Sequence, residues 1–196
     1  MAAHTCAICD GSDSKFCSLC HSILYCSREC QKTDWPLHKM VCKKFTTLPP
    51  RPSLLHRLAI HFPADLKEPQ LIWINCPQQI DDDDGSVSES PDVDGILSKY
   101  DLPKHLDLFE YLPITRNALR GFDLSHKVEV ICRDSFLSDG STPNICVEQT
   151  TGGKKIYDWR GPIAVMRLRW DGSDSKIYED ITATDFRVAV DYFLSY

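Results

Sequence analysis

The chain has 196 residues, 42% hydrophobic and 26% charged, with a formal net charge of −6. That balance suits a globular domain plus a small module and argues against a general phosphate-binding surface. No apolar run reaches the roughly eighteen residues that a membrane-spanning helix needs, and the opening MAAHTCAICD lacks the apolar core of a secretory signal, so the expected compartment is the nucleus or cytoplasm.

The charge is uneven. Residues 1–44 hold six cations (Lys15, Arg28, Lys32, Lys39, Lys43, Lys44) against four acids (Asp10, Asp13, Glu29, Asp34), so the remainder carries −8. Seven of the ten cysteines lie in the first 42 residues. Without a secretory signal, such clustering points to metal ligation over a disulfide framework. Seven is odd, and one histidine completes an even set.

That set is Cys6, Cys9, Cys17, Cys20, Cys26, Cys30, His38 and Cys42, spaced C-x2-C-x7-C-x2-C-x5-C-x3-C-x7-H-x3-C. Eight ligands make two tetrahedral zinc sites, and thiolate-rich sites with no open position are the structural kind. Each C-x2-C pair belongs on a tight turn. Cys26/Cys30 and His38/Cys42 are four apart, so each pair lies on one helical face. Spacing leaves the pairing open: a sequential one places the first four cysteines on one metal. His4, two residues before Cys6, and His21, directly after Cys20, are alternative ligands by position, but the set is complete without them and both are expected to be exposed. A module of this size cannot fold on an apolar core alone, so the metal stands in for one.

Locally, Ile23 to Tyr25 is expected to form a short strand, and Ser27 to N-cap a short helix holding Cys30. A second helix is expected from Thr33 or Asp34, with Pro36 in its first turn.

With all eight ligand positions, Tyr25 before the fifth cysteine, Gln31 and the Asp34–Trp35 pair, residues 6–42 resemble the MYND zinc finger. The resemblance implies interleaved sites, with Cys6, Cys9, Cys26 and Cys30 on one zinc and Cys17, Cys20, His38 and Cys42 on the other. It also implies a binding surface for proline- and leucine-containing peptides beside the strand, over Gln31 and Trp35 and extending to Leu24. Such fingers recruit protein partners, a role that fits transcriptional regulation. Nucleic acid is the rival ligand, through Arg28, Lys32, Lys39, Lys43 and Lys44, but the acidic remainder of the chain speaks against it.

TTLPPRPS (46–53) reads as a semi-rigid linker, or alternatively as an internal ligand folding back on the finger. Beyond it, LIWIN (71–75), KVEVICR (127–133), NICVEQ (144–149) and AVMRLRW (164–170) are strand candidates. PKHLDLFEYL (103–112) and TDFRVAVDYFL (184–194) read as helices, the latter with Thr184 as N-cap. DDDDGSVSESPDVDG (81–95) reads as a mobile loop. Cys76, Cys132 and Cys146 are expected in the core, His105 and His126 at the surface, and TGGKK (151–155) in a hairpin turn. FP-x-D (62–65), LIWIN and the WRGP turn resemble the C-terminal region of small fungal MYND proteins, which carries no known activity.

Some MYND proteins are SET-domain methyltransferases, but no G-x-G and no Asn-His pair occurs here. The expected architecture is a double-zinc finger (1–45), the linker (46–53) and an acidic α+β domain (54–196) with its loop near 80–95. The expected role is that of a protein-interaction adaptor, with no catalytic residue assigned. The alternatives are an enzyme of unknown type in residues 54–196 and a nucleic-acid-associated regulator.

Overall fold

A computed structural model describes residues 5–81, 85–98, 108–169 and 175–196. The finger contributes β1 (Lys15–Phe16), β2 (Leu24–Tyr25) and α1 (Arg28–Thr46). The rest forms β3 (His56–Phe62), β4 (Gln70–Asn75), β5 (Gln78–Ile80), β6 (Val87–Glu89), α2 (Asp94–Leu97), β7 (Phe109–Asn117), β8 (Phe122–Arg133), α3 (Ile145–Thr151), β9 (Ile163–Leu168), β10 (Tyr178–Glu179) and α4 (Ala183–Ser195). The N-terminal finger is thus followed by a mixed helix and sheet region, the expected fold class.

The main sheet is antiparallel, in the order β4-β3-β9-β8-β7, with β10 added on β9. Both of its faces are covered, which explains why its central strands are so apolar. Successive strand residues point to opposite faces. Val128, Val130, Ile163, Val165, Leu58 and Ile60 therefore join one core cluster, while Ile131, Ala164, Met166 and Ala59 join the other. The first cluster is shared with α4 (Phe186, Ala189, Phe193) and with the finger (Ile23, Leu37, Val41). The second is capped by Val93 and Leu97 of the α2 segment and by Tyr178.

Several local expectations are corrected. The two short finger helices are one: α1 runs from N-cap Ser27, whose side chain accepts from the Cys30 N–H, through Pro36 to Thr46. Proline removes one helical bond and leaves a carbonyl four residues earlier without its donor. Here that is Lys32, an exposed residue, and the helix continues through the proline. The NICVEQ stretch forms α3 instead of a strand, because Asn144 caps it by accepting from Val147 N–H at 2.8 Å. Gly152, left-handed at φ 61, ends that helix, so TGGKK is a helix terminus and not a hairpin. The expected helix over 103–112 is strand β7 from Phe109 onward, and residues 103–107 of it, with His105, lie outside the described residues. Helix α4 is capped by Thr182, in a capping box with Asp185, and not by Thr184. Within the acidic stretch 81–95, the described residues include strand β6 and the start of α2, and residues 82–84 lie outside the description. Cys76, Cys132 and Cys146 are fully buried.

The proline-rich segment lies along β4. Trp73 Nε1 donates to the Pro49 carbonyl at 3.1 Å, and the Arg51 guanidinium stands 5.1 Å from the Trp73 ring centroid while pairing with Asp180. Fixed in this way, the segment does not fold back over Gln31 and Trp35.

Candidate metal centre and the surface beside it

Two turns and one helix bring the ligands together. After Cys6 and after Cys17 the chain makes the same reversal: Asp10 N–H returns to Cys6 O and His21 N–H to Cys17 O, both at 2.9 Å. Each turn closes on a left-handed residue directly after its second cysteine, Asp10 at φ 56 and His21 at φ 51. Asp is among the residues that adopt this conformation most readily. His21 is exposed and serves the turn, outside both ligand sets.

The helix supplies the other half. Cys26 precedes α1 and Cys30 lies in its first turn; one ligand atom from each of Cys6, Cys9, Cys26 and Cys30 falls within 4.8 Å of the others. His38 and Cys42, further along, close on Cys17 and Cys20 within the same limit. The sites are therefore interleaved, and the sequential pairing is excluded. The sulfurs of Cys9 and Cys26 are 3.4 Å apart, Cys26 and Cys30 3.6 Å, Cys9 and Cys30 3.9 Å, and Cys17 and Cys42 3.8 Å. Zinc–sulfur bonds of about 2.3 Å in a tetrahedron give a sulfur–sulfur edge of about 3.8 Å, whereas a disulfide holds its sulfurs at about 2.05 Å. The donor set and its edges fit zinc at both sites. His38 turns Nε2 toward Cys20 Sγ at 3.7 Å. Its buried Nδ1 makes no hydrogen bond among the described residues, and the ring packs against Tyr25 and Trp35, each 6.0 Å away centroid to centroid. Four protein ligands fill each site, which leaves the finger a structural and not a catalytic metal module.

Sequence reasoning left Asp34 without a role, and the structure supplies one. Asp34 is 1% exposed; it accepts from Tyr25 Oη at 2.6 Å and lies 3.4 Å from Arg187 of α4. The same guanidinium pairs with Asp191, which also accepts from Asn117 Nδ2 at 2.9 Å and from Arg120. Arg120 in turn donates to the Ile8 carbonyl of the first turn at 3.1 Å. Burial alone would push the Asp191 carboxyl up, but Arg187, Asn117 and Arg120 hold it below the usual value. A further clasp is the Ala183 N–H, at the start of α4, shared between Ser22 O and Ser22 Oγ.

The residues expected to meet a partner separate into two places. Gln31 and Trp35 are one helical turn apart on the outer side of α1. They line two adjoining hollows of about 290 and 340 Å³, the first walled also by Lys15, Phe16, Tyr25 and Arg28, the second by Lys32. Leu24 faces elsewhere: with Phe16 it lines a hollow of about 270 Å³ between the finger and the β7–β8 hairpin. His126 borders that hollow and, contrary to the surface expectation, is largely buried, with Nε2 2.6 Å from Asp185. Arg167 there is engaged with Glu179 and Asp185.

Fold and site thus define a double-zinc finger joined to an antiparallel sheet. Residues 6–42 match the family profile described as the MYND finger. Within this region the chain is 54% identical over 41 residues to the zinc finger MYND domain-containing protein 10 homolog of Drosophila melanogaster, covering 21% of this chain and 9% of that one. It is 49% identical over 41 residues to the SET domain and MYND-type zinc finger protein 6 of Schizosaccharomyces pombe, covering 20% and 8%. The hypoxia-inducible factor prolyl hydroxylase of Caenorhabditis elegans is 43% identical over 47 residues, covering 24% and 6%. The chain thus spans under a tenth of the length of these relatives, and no solved structure matches it. Two of the three names denote enzymes or enzyme-type domains, yet the shared segment is finger-sized. Among the described residues, no helix is long and apolar enough to cross a membrane.

Proposed function

We propose that this chain is a zinc-stabilised adaptor of the nucleus or cytoplasm. It recruits partner proteins through a proline- and leucine-containing peptide laid over Gln31 and Trp35, in transcriptional regulation. Trp35 carries this reading. Its neighbours on α1, Asp34, Leu37 and His38, are all buried, while Trp35 remains 47% exposed. A large aromatic kept at the surface beside a hydrogen-bonding amide is the usual make-up of a binding anchor. Side-chain pockets of this kind give a bound extended peptide its specificity.

The test is an affinity capture with the zinc-loaded chain, comparing wild type with Trp35→Ala and Gln31→Ala. Trp35 also packs on His38, so zinc content is measured on each variant. Loss of captured partners with two zincs retained supports the reading. Unchanged partners with Trp35→Ala removes it.

A further inference from the structure

We propose that the peptide seated on Gln31 and Trp35 is acidic, with carboxylates on both sides of its apolar anchor. This deepens the peptide-adaptor reading and rests on it.

The observation is a contrast in how the cations are used. Nine of the ten arginines, Arg28 excepted, stand within ion-pair distance of a carboxylate. Arg28 has no such partner among the described residues, and neither do Lys15, Lys32 and Lys39, all four being exposed. Lys43, Lys67 and Lys154 also lack such a partner among the described residues, so the contrast rests on the place where Arg28, left open in a fold that pairs its other arginines, stands in line with Lys32 and Lys39.

That place is the candidate recognition face. Arg28, Lys32, Trp35 and Lys39 follow the i, i+4, i+7, i+11 spacing, which puts them in one stripe along α1. Lys15 and Arg28 wall the first hollow and Lys32 the second, with Gln31 common to both. The acid nearest in sequence, Glu29, is turned about 100° round the helix from Arg28; it lies three residues before Lys32, on the adjoining face, but forms no ion pair with either among the described residues. Of the finger's other acids, Asp34 is buried against Tyr25 and Arg187, Asp10 closes the first metal turn, and Asp13 lies three residues beyond it.

Length supports the same occupant. From Arg28 to Lys39 the helix rises about 16 Å, which an extended peptide covers in about five residues. An anchor over Trp35 then places carboxylates two or three residues to either side within reach of Lys32 and Lys39. Nucleic acid would need a broader basic field, and the chain outside residues 1–44 carries −8.

The experiment measures binding of two fluorescein-labelled peptides to the full zinc-loaded chain. Both share a Pro-Leu-Pro core; one is flanked by glutamates and the other by serines. The glutamate peptide is expected to bind about tenfold more tightly at low salt, as several exposed ion pairs together allow, with the preference fading as salt screens them. The triple variant Arg28→Gln, Lys32→Gln, Lys39→Gln is expected to bind both peptides equally, at the serine peptide's level, because Trp35 is intact. Equal binding of the two peptides by wild type, with both abolished by Trp35→Ala, overturns the acidic preference and leaves the adaptor reading standing. Binding of neither peptide overturns both. Tighter binding of a random duplex oligonucleotide, lost in the triple variant, would make the stripe a nucleic-acid surface and overturn the proposal.

Discussion

Arg187 of α4 stands 3.4 Å from Asp34 of the finger helix, and the two are 12% and 1% exposed at the side chain. One guanidinium therefore joins a metal module to a sheet through a contact that water scarcely reaches. Truncating one partner of a buried pair leaves the other charge unmatched, at a cost of about 3–5 kcal/mol. Arg187→Ala uncovers both Asp34 and Asp191 and is expected to lower stability by that order, read from urea unfolding of the zinc-loaded chain. Arg116→Ala, which removes an exposed pair with Asp123, is the control and should cost under about 1 kcal/mol.

Zinc removal should be felt beyond the finger. Metal analysis is expected to return two zincs per chain. A structural zinc contributes about 10–16 kcal/mol of apparent free energy in small modules, and finger residues Ile23, Leu37 and Val41 share a core cluster with α4. Chelation should collapse the amide spectrum of residues 6–42 and lower the melting temperature of the sheet. An unchanged spectrum after complete zinc loss would contradict the metal's role as the core of this module.

The three cysteines outside the finger should be inert. Burial pushes the Cys76, Cys132 and Cys146 thiols up to about 12. The thiolate is the reactive form, so at pH 9 only about one such thiol in a thousand is ionised. Raising the pH from 7 to 9 is therefore expected to leave them unreactive toward a thiol reagent. Chelation should release the seven finger thiols, and the last three only in denaturant. Reaction of all ten on chelation alone would mean that the sheet does not survive without its finger.

Asn144 should be unusually sensitive. It is fully buried, caps α3 through its side-chain oxygen, and donates through Nδ2 to the Phe62 carbonyl at 2.9 Å and the Gly161 carbonyl at 2.7 Å. Asn144→Ala removes a cap worth about 1 kcal/mol and strands two buried acceptors, for a total of about 3 kcal/mol. Asn144→Asp keeps the capping oxygen but sets a carboxylate against two carbonyl oxygens in a fully buried site, so it should recover nothing and cost at least as much as Asn144→Ala. Chemical denaturation of the three proteins tests that order.

Asn144 also shows where the sequence was hard to read. NICVEQ is short, and its Ile, Cys and Val suit a strand as well as a helix; the deciding cap is visible only once its oxygen is seen to meet Val147. The ligand set was legible because seven cysteines and a histidine rarely fall into such regular spacing unless they surround metal. The pairing of ligands was not fixed by spacing, since turns and helix faces allow either order until the chain is folded. Strands β8 and β9 were legible in part, as candidates over 127–133 and 164–170, from their apolar runs, which reflect burial on both sheet faces. Arg187 and Asp34, 153 residues apart, left no local signal. Of the residues expected to meet a partner, Gln31 and Trp35 share one face of α1, while Leu24 faces the β7–β8 hairpin, a separation that spacing along the chain does not reveal.

The clasp at Ser22, Ile8 and Asp34 fixes more than the position of a module. A ligand bound at Trp35, as proposed, would be held in one orientation relative to the antiparallel sheet. Any second touch between that ligand and the hollow of about 640 Å³ bounded by Lys39, Met40, Lys67 and Gly152 would then be an intramolecular event. Its strength would follow from effective concentration instead of from new contact area.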